Sequence, residues 1–409
     1  MLSINPMIFD CTAAYVHIPF CRRRCFYCDF PIAVVGNTDL DGSSWVQNYV
    51  NTLCLEIQAT PRQGQRLTSI FFGGGTPSLL PVQNLAQILT HLDRQFGIDT
   101  QAEISLEIDP ATFTVSQLQA YQSLGVNRLS LGVQAFQDHL LQKCGRLHQE
   151  KDIHQAIAWI HQLGFQNWSL DLISGLPEQT LDHWQASLEQ AIAYQPSHLS
   201  CYDLVLEPVT AFGKQFVAGE KPLPGDEQTA QMYRLASQLL RQASYDHYEI
   251  SNYGRSGYHC FHNRVYWENR SYYGFGLGAA SYTQGVRFTR PRTRQQYVDW
   301  VNNYQRSPGD IPGEPVSAID QLLESLMLGL RLREGVILEK LPSINSRWLT
   351  EILAILQPFI RQGWVNQQAI QCPQDPQVTH TQISLTDPDG FLFSNQVLTA
   401  LFTELEGPS

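Results

Sequence analysis

From Tyr15 to about Ser251 the chain alternates between short β-rich runs, turns and helical stretches, and this rhythm constrains the fold more than any other feature. Strands are predicted at 14–18, 67–72, 103–108, 128–133, 168–173, 199–206 and 248–251. Helical patterns fall between them at 45–59, 84–96, 115–124, 151–163, 181–194 and 227–243. Alternation of this kind implies a parallel sheet, either a barrel or an open doubly wound sheet. Three strands say more. In Glu103-Ile-Ser-Leu-Glu-Ile108 the apolar residues share one face, and Glu103, Ser105 and Glu107 share the other. Arg128-Leu-Ser-Leu-Gly-Val-Gln134 and Ser169-Leu-Asp-Leu172 repeat the split. Successive side chains alternate across a strand, and helices cover the outer face of a βα protein, so the polar faces look inward. A packed barrel interior is branched and apolar; a polar lumen predicts a wide barrel filled by a ligand.

After Tyr282 the composition shifts. Residues 285–315 are rich in Arg, Asn, Pro and Gly and read as a connector wrapping the surface. Helices are predicted at 318–332 and 347–362, and a β-hairpin at 383–393 with its turn at Asp387–Gly390. Helices followed by a hairpin suggest a winged-helix-like α+β module, used for structure or docking because no basic recognition helix is present. The predicted division is therefore 1–284, a connector at 285–316, and 317–409.

The stretch Ala14-Tyr-Val-His-Ile-Pro-Phe-Cys-Arg-Arg-Arg-Cys-Phe-Tyr-Cys-Asp-Phe30 carries Cys21, Cys25 and Cys28 in the spacing C-x3-C-x2-C. It follows the first strand, at the carboxyl end where βα proteins place their chemistry. A disulfide uses two thiols and a structural zinc four ligands. A cubane iron–sulfur cluster is usually held by four thiolates, so three leave one iron open to a small chelating ligand. Zinc completed by His17 or Asp29 is the alternative, although no second cysteine knuckle is present. The other six cysteines of the nine (Cys11, Cys54, Cys144, Cys201, Cys260 and Cys372) are scattered singly and read as small buried hydrophobes.

A net charge of −11 argues against general nucleic-acid binding. No apolar run reaches bilayer length, and the start MLSINPMIFDC lacks the pattern of a secretion signal. The expectation is a cytoplasmic protein with reduced thiols, peripheral to a membrane only through a client.

C-x3-C-x2-C with an aromatic residue before the last cysteine resembles the signature of the radical S-adenosylmethionine (radical SAM) superfamily. That resemblance implies a partial (β/α) barrel and a [4Fe-4S] cluster held by Cys21, Cys25 and Cys28. S-adenosylmethionine would chelate the fourth iron, and an electron from the cluster would cleave it to a 5′-deoxyadenosyl radical. An electron donor such as flavodoxin or ferredoxin is implied as a partner. Further motifs, among them Phe-Gly-Gly-Gly-Thr-Pro-Ser, Leu-Glu-Ile-Asp-Pro, Gly-Arg-Leu-His and Asp-Leu-Ile-Ser-Gly-Leu-Pro, are similar in order to the oxygen-independent coproporphyrinogen oxidase group across 15–282. By that resemblance Tyr15 and Tyr27 flank the cluster and S-adenosylmethionine, and Gly74, Gly75 and Thr76 contact its methionine part. Glu107, Gln134, Arg146 and Asp171 match further contacts. Val205 aligns with one made through its backbone. The polar-lumen argument selects those same four polar residues, with Arg146 in the loop beyond. An ammonium, a carboxylate, a sulfonium and a ribose diol call for acids, amides and a guanidinium at set places.

His262-Asn-Arg-Val-Tyr-Trp267 resembles the H-N-x-x-Y-W motif of the HemW heme-chaperone branch of that group. An exposed histidine there, beside Tyr and Trp, would supply an axial nitrogen and an apolar wall for heme. The oxidases carry a fourth cysteine two residues past the third; here that position is Phe30. The branch implies heme as ligand and a hemoprotein client, respiratory or other, with no residue assigned to catalysis. The competing reading is a true radical enzyme, such as a coproporphyrinogen III oxidase acting on a tetrapyrrole. The residues do not set the oligomeric state, and a homodimer stays open.

Overall fold

A computed structural model describes residues 10–313, 316–372 and 375–406. The opening residues read for a secretion signal lie mostly outside this range, as do residues 314–315 of the connector. Among the described residues nine strands form the main sheet: β1 (Ala13–Ile18), β2 (Leu67–Gly74), β3 (Ile98–Ile108), β4 (Arg128–Gln134), β5 (Asn167–Ser174), β6 (His198–Asp203), β7 (Asp246–Glu249), β8 (Asn252–Gly254) and β9 (Tyr273–Phe275). Their spatial order is β9-β1-β2-β3-β4-β5-β6-β8-β7. The pairings from β9 through β6 are parallel. The expected seventh parallel strand is instead a short antiparallel pair, β7 and β8, at the edge. Two residues join them, and a connection that short cannot make the crossover a parallel neighbour needs.

Helices cover the outer face because their apolar residues recur on one side. In α1 (Ser44–Ala59), Val46, Tyr49, Val50, Leu53, Cys54 and Ile57 are all buried, the three-and-four spacing of an amphipathic helix. They pack in one core with Ile104, Leu106, Leu129, Leu131, Leu170 and Leu172, the apolar halves of the alternating strands. Each such large side chain contributes about 1.5–3 kcal/mol on burial. The opposite halves, Glu107, Ser130, Asp171 and Ser200, line a cavity inside the sheet, as the alternation predicts. The architecture is a partial (β/α) barrel with a polar lumen.

The segment expected to wrap the surface does more than that. It holds the strand Val286–Thr289 and the helix Arg294–Tyr304, and Tyr297 and Val301 join the barrel core. The cause is Glu56 of α1, which is fully buried. Its carboxylate accepts from Arg290 Nε at 2.8 Å, the Gly276 N–H at 2.9 Å and the Tyr297 hydroxyl at 2.5 Å.

A second core unites Leu322, Leu326, Ile352, Leu356, Ile383 and Leu401 with Tyr233 of the barrel helix Asp226–Gln242. It is built from helices Ala318–Gly329, Ser346–Arg361 and Ser394–Glu406 and a three-stranded antiparallel sheet, the elements of a winged-helix-like module. The predicted hairpin is displaced: its strands are Val365–Cys372 and Asp375–Leu385, and Asp389–Leu392 is a helical turn. Asp-Pro-Asp-Gly suits a turn, but Pro and Asp also favour a helix start. The Gly390 N–H donates to Thr386 Oγ1 at 3.1 Å and Phe391 is buried, which selects the helix. Among the described residues no helix is long and apolar enough to cross a membrane.

Candidate functional site: a three-cysteine loop over a polar lumen

All fourteen residues singled out from the sequence line one cavity of about 830 Å³ at the carboxyl ends of the parallel strands. The cysteine loop is tied shut at its base by a two-residue parallel ladder, Phe20–Cys21 against Ala33–Val34. Arg24 braces it from within, its guanidinium donating to the carbonyls of Cys28, Phe30 and Ile32 at 3.0–3.3 Å. Two donors point at the sulfurs: the Thr76 hydroxyl at 3.5 Å from Cys21 Sγ and Arg146 Nη1 at 3.6 Å from Cys25 Sγ. Burial pushes the Cys21 thiol up to about 12 and raises that of Cys28, so these thiolates need a cationic partner.

A single metal ion is a poor fit. Among the described residues no three His, Cys, Asp or Glu side chains converge closely enough to hold one. His17, the candidate fourth zinc ligand, has both ring nitrogens engaged, with the Tyr15 hydroxyl at 3.0 Å and the Pro31 carbonyl at 2.9 Å. Three sulfurs spread around a loop, with donors aimed at two of them, suit a larger multi-iron body. Cys21, Cys25 and Cys28 would hold it, and the cluster would supply an open iron and one-electron chemistry.

Beside the loop, Gly74 adopts φ +112°, a region closed to residues with a side chain. A Cβ there would lie 2.4 Å from the His17 ring. Its N–H donates to Glu107 Oε2 at 3.0 Å, which fixes the glycine turn to β3. Gln134 sits at φ +69° next to a register shift between Gly132 and Gln134. A non-glycine residue in that region costs on the order of 1–3 kcal/mol, and the bulge turns its amide into the cavity. Asp171 accepts from Ser130 Oγ at 2.7 Å and Ser169 Oγ at 2.9 Å.

Glu107 is half-buried and opens on the cavity. Burial, and then the charge of Asp171, push its carboxyl up to about 7. Since its folded value lies above the unfolded one, the folded state is favoured most at acid pH and loses that advantage as pH rises through about 7. Glu107→Gln is therefore expected to stabilise the ligand-free protein at pH 8 by on the order of 2 kcal/mol and to change little at pH 4. Urea unfolding at the two pH values checks this, and equal effects at both would refute it. A cationic ligand would favour the charged carboxylate, so the same variant should bind S-adenosylmethionine more weakly.

Sequence reasoning missed Asp109 and His148. Asp109 Oδ2 accepts from Arg146 Nη2 at 2.7 Å, and its Oδ1 lies 3.0 Å from His148 Nδ1. Both residues line the cavity. The signal was present: Asp109 shares the face of Glu107 by alternation, and His148 stands two residues after Arg146. Arg146 also donates to the Gly132 carbonyl at 2.8 Å, so it ties the cysteine loop and the turn after β3 to strand β4.

The exposed histidine expected in the H-N-x-x-Y-W segment is not exposed. His262 has 0% of its surface accessible. Its Nδ1 is 2.7 Å from Ser69 Oγ and its Nε2 2.9 Å from the Tyr266 hydroxyl, while the ring stacks on Phe71. Glu103 accepts from the His262 N–H at 3.2 Å and anchors the start of helix Phe261–Trp267 to the sheet. Burial, with Arg128 adding to it, lowers the imidazole to about 3, so it is neutral. In this arrangement neither nitrogen is free to ligate iron.

Residues 15–191 match the radical SAM superfamily and residues 316–370 the HemN C-terminal domain. Coproporphyrinogen III oxidase (HemN) from Escherichia coli, a radical SAM enzyme, has the same fold, with a TM-score of 0.79 at 21% identity over 97% of this chain and 91% of that one. Fold and cysteine loop thus define a radical SAM protein. The heme chaperone HemW of Synechocystis sp. is 52% identical over 97% of both chains. HemW of E. coli is 32% identical over 99% of this chain and 100% of its own. The chain belongs to the HemW heme-chaperone family.

Proposed function

We propose that this protein is a heme chaperone that binds heme together with a [4Fe-4S] cluster and S-adenosylmethionine and delivers heme to hemoprotein clients. The observation that carries the reading is the single cavity that gathers three cysteines and the acids, amide and guanidinium suited to S-adenosylmethionine. It stands in a chain that is similar to a heme chaperone over 97% of its length. Glu107, Gln134, Arg146 and Asp171, with the Gly74–Thr76 turn, hold the nucleotide; Tyr15, Tyr27 and the Val205 backbone close around it. A one-electron carrier such as flavodoxin or ferredoxin reduces the cluster. Phe30 stands where the related oxidases carry a fourth cysteine, which weighs against coproporphyrinogen chemistry.

Anaerobically reconstituted protein is expected to contain about four irons per chain, to bind hemin, and to leave coproporphyrinogen III unchanged in the presence of S-adenosylmethionine and a strong reductant. Formation of protoporphyrinogen would make it an oxidase instead. His262→Ala should bind hemin within about threefold of the native affinity. It should also lose about 2–4 kcal/mol of stability, because the change opens a cavity and strands the Ser69 and Tyr266 hydroxyls. Heme titration and urea unfolding of the one variant measure both. A loss of heme binding with unchanged stability would restore His262 as an iron ligand.

A further inference from the structure

If His262 is braced inside the wall, the macrocycle must rest elsewhere, and the mouth of the cavity differs in character from its floor. Phe30, Leu147 and Val205 are 55%, 56% and 62% exposed and line the same opening. They belong to three separate loops: the cysteine loop, the loop between the helices Asp138–Lys143 and Glu150–Gln162, and the loop after β6. Tyr202, at the end of β6, adds a fourth exposed apolar side chain. Four of the ten most exposed large hydrophobic residues among the described ones thus ring one opening. Large apolar side chains scattered singly need no explanation, whereas a contiguous apolar patch bordered by polar groups marks a binding surface.

The charge at the mouth narrows the choice of ligand. Arg22 and Arg23 line it as well, and among the described residues neither is in an ion pair. Arg22 donates to the Ala111 carbonyl at 2.7 Å, and Arg23 lies over the Phe26 ring at 4.9 Å. A cubane core bound by three thiolates carries a net charge of about −1, and Arg146 already stands at Cys25. Arg22 also acts on Asp109, and Asp29, Asp203 and Glu207 line the same cavity, but neither Arg22 nor Arg23 has a carboxylate within ion-pair distance among the described residues. An apolar collar with two unpaired cations on its edge fits a flat hydrophobic molecule that bears two carboxylates.

We propose that this rim is the heme site. The porphyrin face lies on Phe30, Leu147 and Val205, and the propionates meet Arg22 and Arg23, with no bond to His262. The proposal rests on the heme-chaperone reading and names the site that reading lacks. A grip on ring and carboxylates does not depend on iron.

Two probes, hemin and metal-free protoporphyrin IX, titrated into the reconstituted full chain, test it. Protoporphyrin IX is expected to bind within about tenfold of hemin and to compete with it. Leu147→Asp, at a solvent-exposed position with no cofactor role, should weaken both probes at least tenfold with iron content unchanged. Arg22→Glu/Arg23→Glu should weaken both probes, and the porphyrin dimethyl ester, which lacks the carboxylates, should not feel that substitution. If the native chain binds hemin but the collar variant binds it equally well, or protoporphyrin IX fails to compete, the rim is not the site. Failure of the native chain to bind hemin at all defeats the chaperone reading itself.

Discussion

Arg146→Met is expected to empty the site. The substitution keeps most of the side chain's length but removes the donors to Cys25 Sγ, the Gly132 carbonyl and Asp109. Asp109 is then left without its strongest partner. Burial by itself would push the Asp109 carboxyl up, but Arg146 and the hydrogen bond with His148 more than offset that and hold it below its ordinary value. Removing one member of a buried pair costs about 3–5 kcal/mol, because the other charge stays behind. Asp109 keeps some access to the cavity, so a loss of about 2–4 kcal/mol is expected here. Iron content after reconstitution should fall by half or more, and S-adenosylmethionine affinity at least tenfold. The sign with pH follows from the lowered carboxyl. Its stabilising contribution is complete above the usual value of 3.8 and is lost as pH falls below it. The stability gap between native and variant protein should therefore be full at pH 7 and narrow in acid. The double variant Arg146→Met/Asp109→Asn should lose less stability than the two single changes added together. Full additivity, or a variant that retains iron and nucleotide affinity, would remove Arg146 from the centre of the site.

Glu56→Ala should have the largest effect on stability, about 3–5 kcal/mol. Both partners in its ion pair with Arg290 are almost wholly buried, at 0% and 2% exposure. Loss of the carboxylate strands the guanidinium, the Tyr297 hydroxyl and the Gly276 N–H together. The effect should be local in its first stage: the helix Arg294–Tyr304 loses its anchor, and the chain around it becomes open to protease. Glu56→Ala/Arg290→Met should recover part of the loss, since no buried charge is left unpaired. Urea unfolding and limited proteolysis of the three variants test this. A single variant as stable as the native chain would show that the buried pair does not hold the segment down.

Much of the site can be read from the residues because it is built from short-range patterns. The cysteine loop, the glycine turn after β2 and the period-two alternation of β3, β4 and β5 are each contained within about ten residues. Each one places its functional groups at the same end or on the same face. Asp109 is legible on the same principle, two positions beyond Glu107 on the same face. Arg128 is a different case: alternation places it on the polar side, and only the folded chain shows it buried near Glu103 and Cys260.

What the residues alone determined is therefore the parallel barrel, its polar lumen, the three-thiol loop and the family resemblance they carry. Tertiary structure decided the rest. His262 reads as an exposed ligand until Ser69, 193 positions away, closes on one of its nitrogens. The stretch after Gly285 reads as a surface strap until Glu56, 234 positions from Arg290, draws it into the core. The physical reason is the same in both places. A local pattern says which way a side chain points, but its burial and protonation depend on groups brought to it from distant parts of the chain.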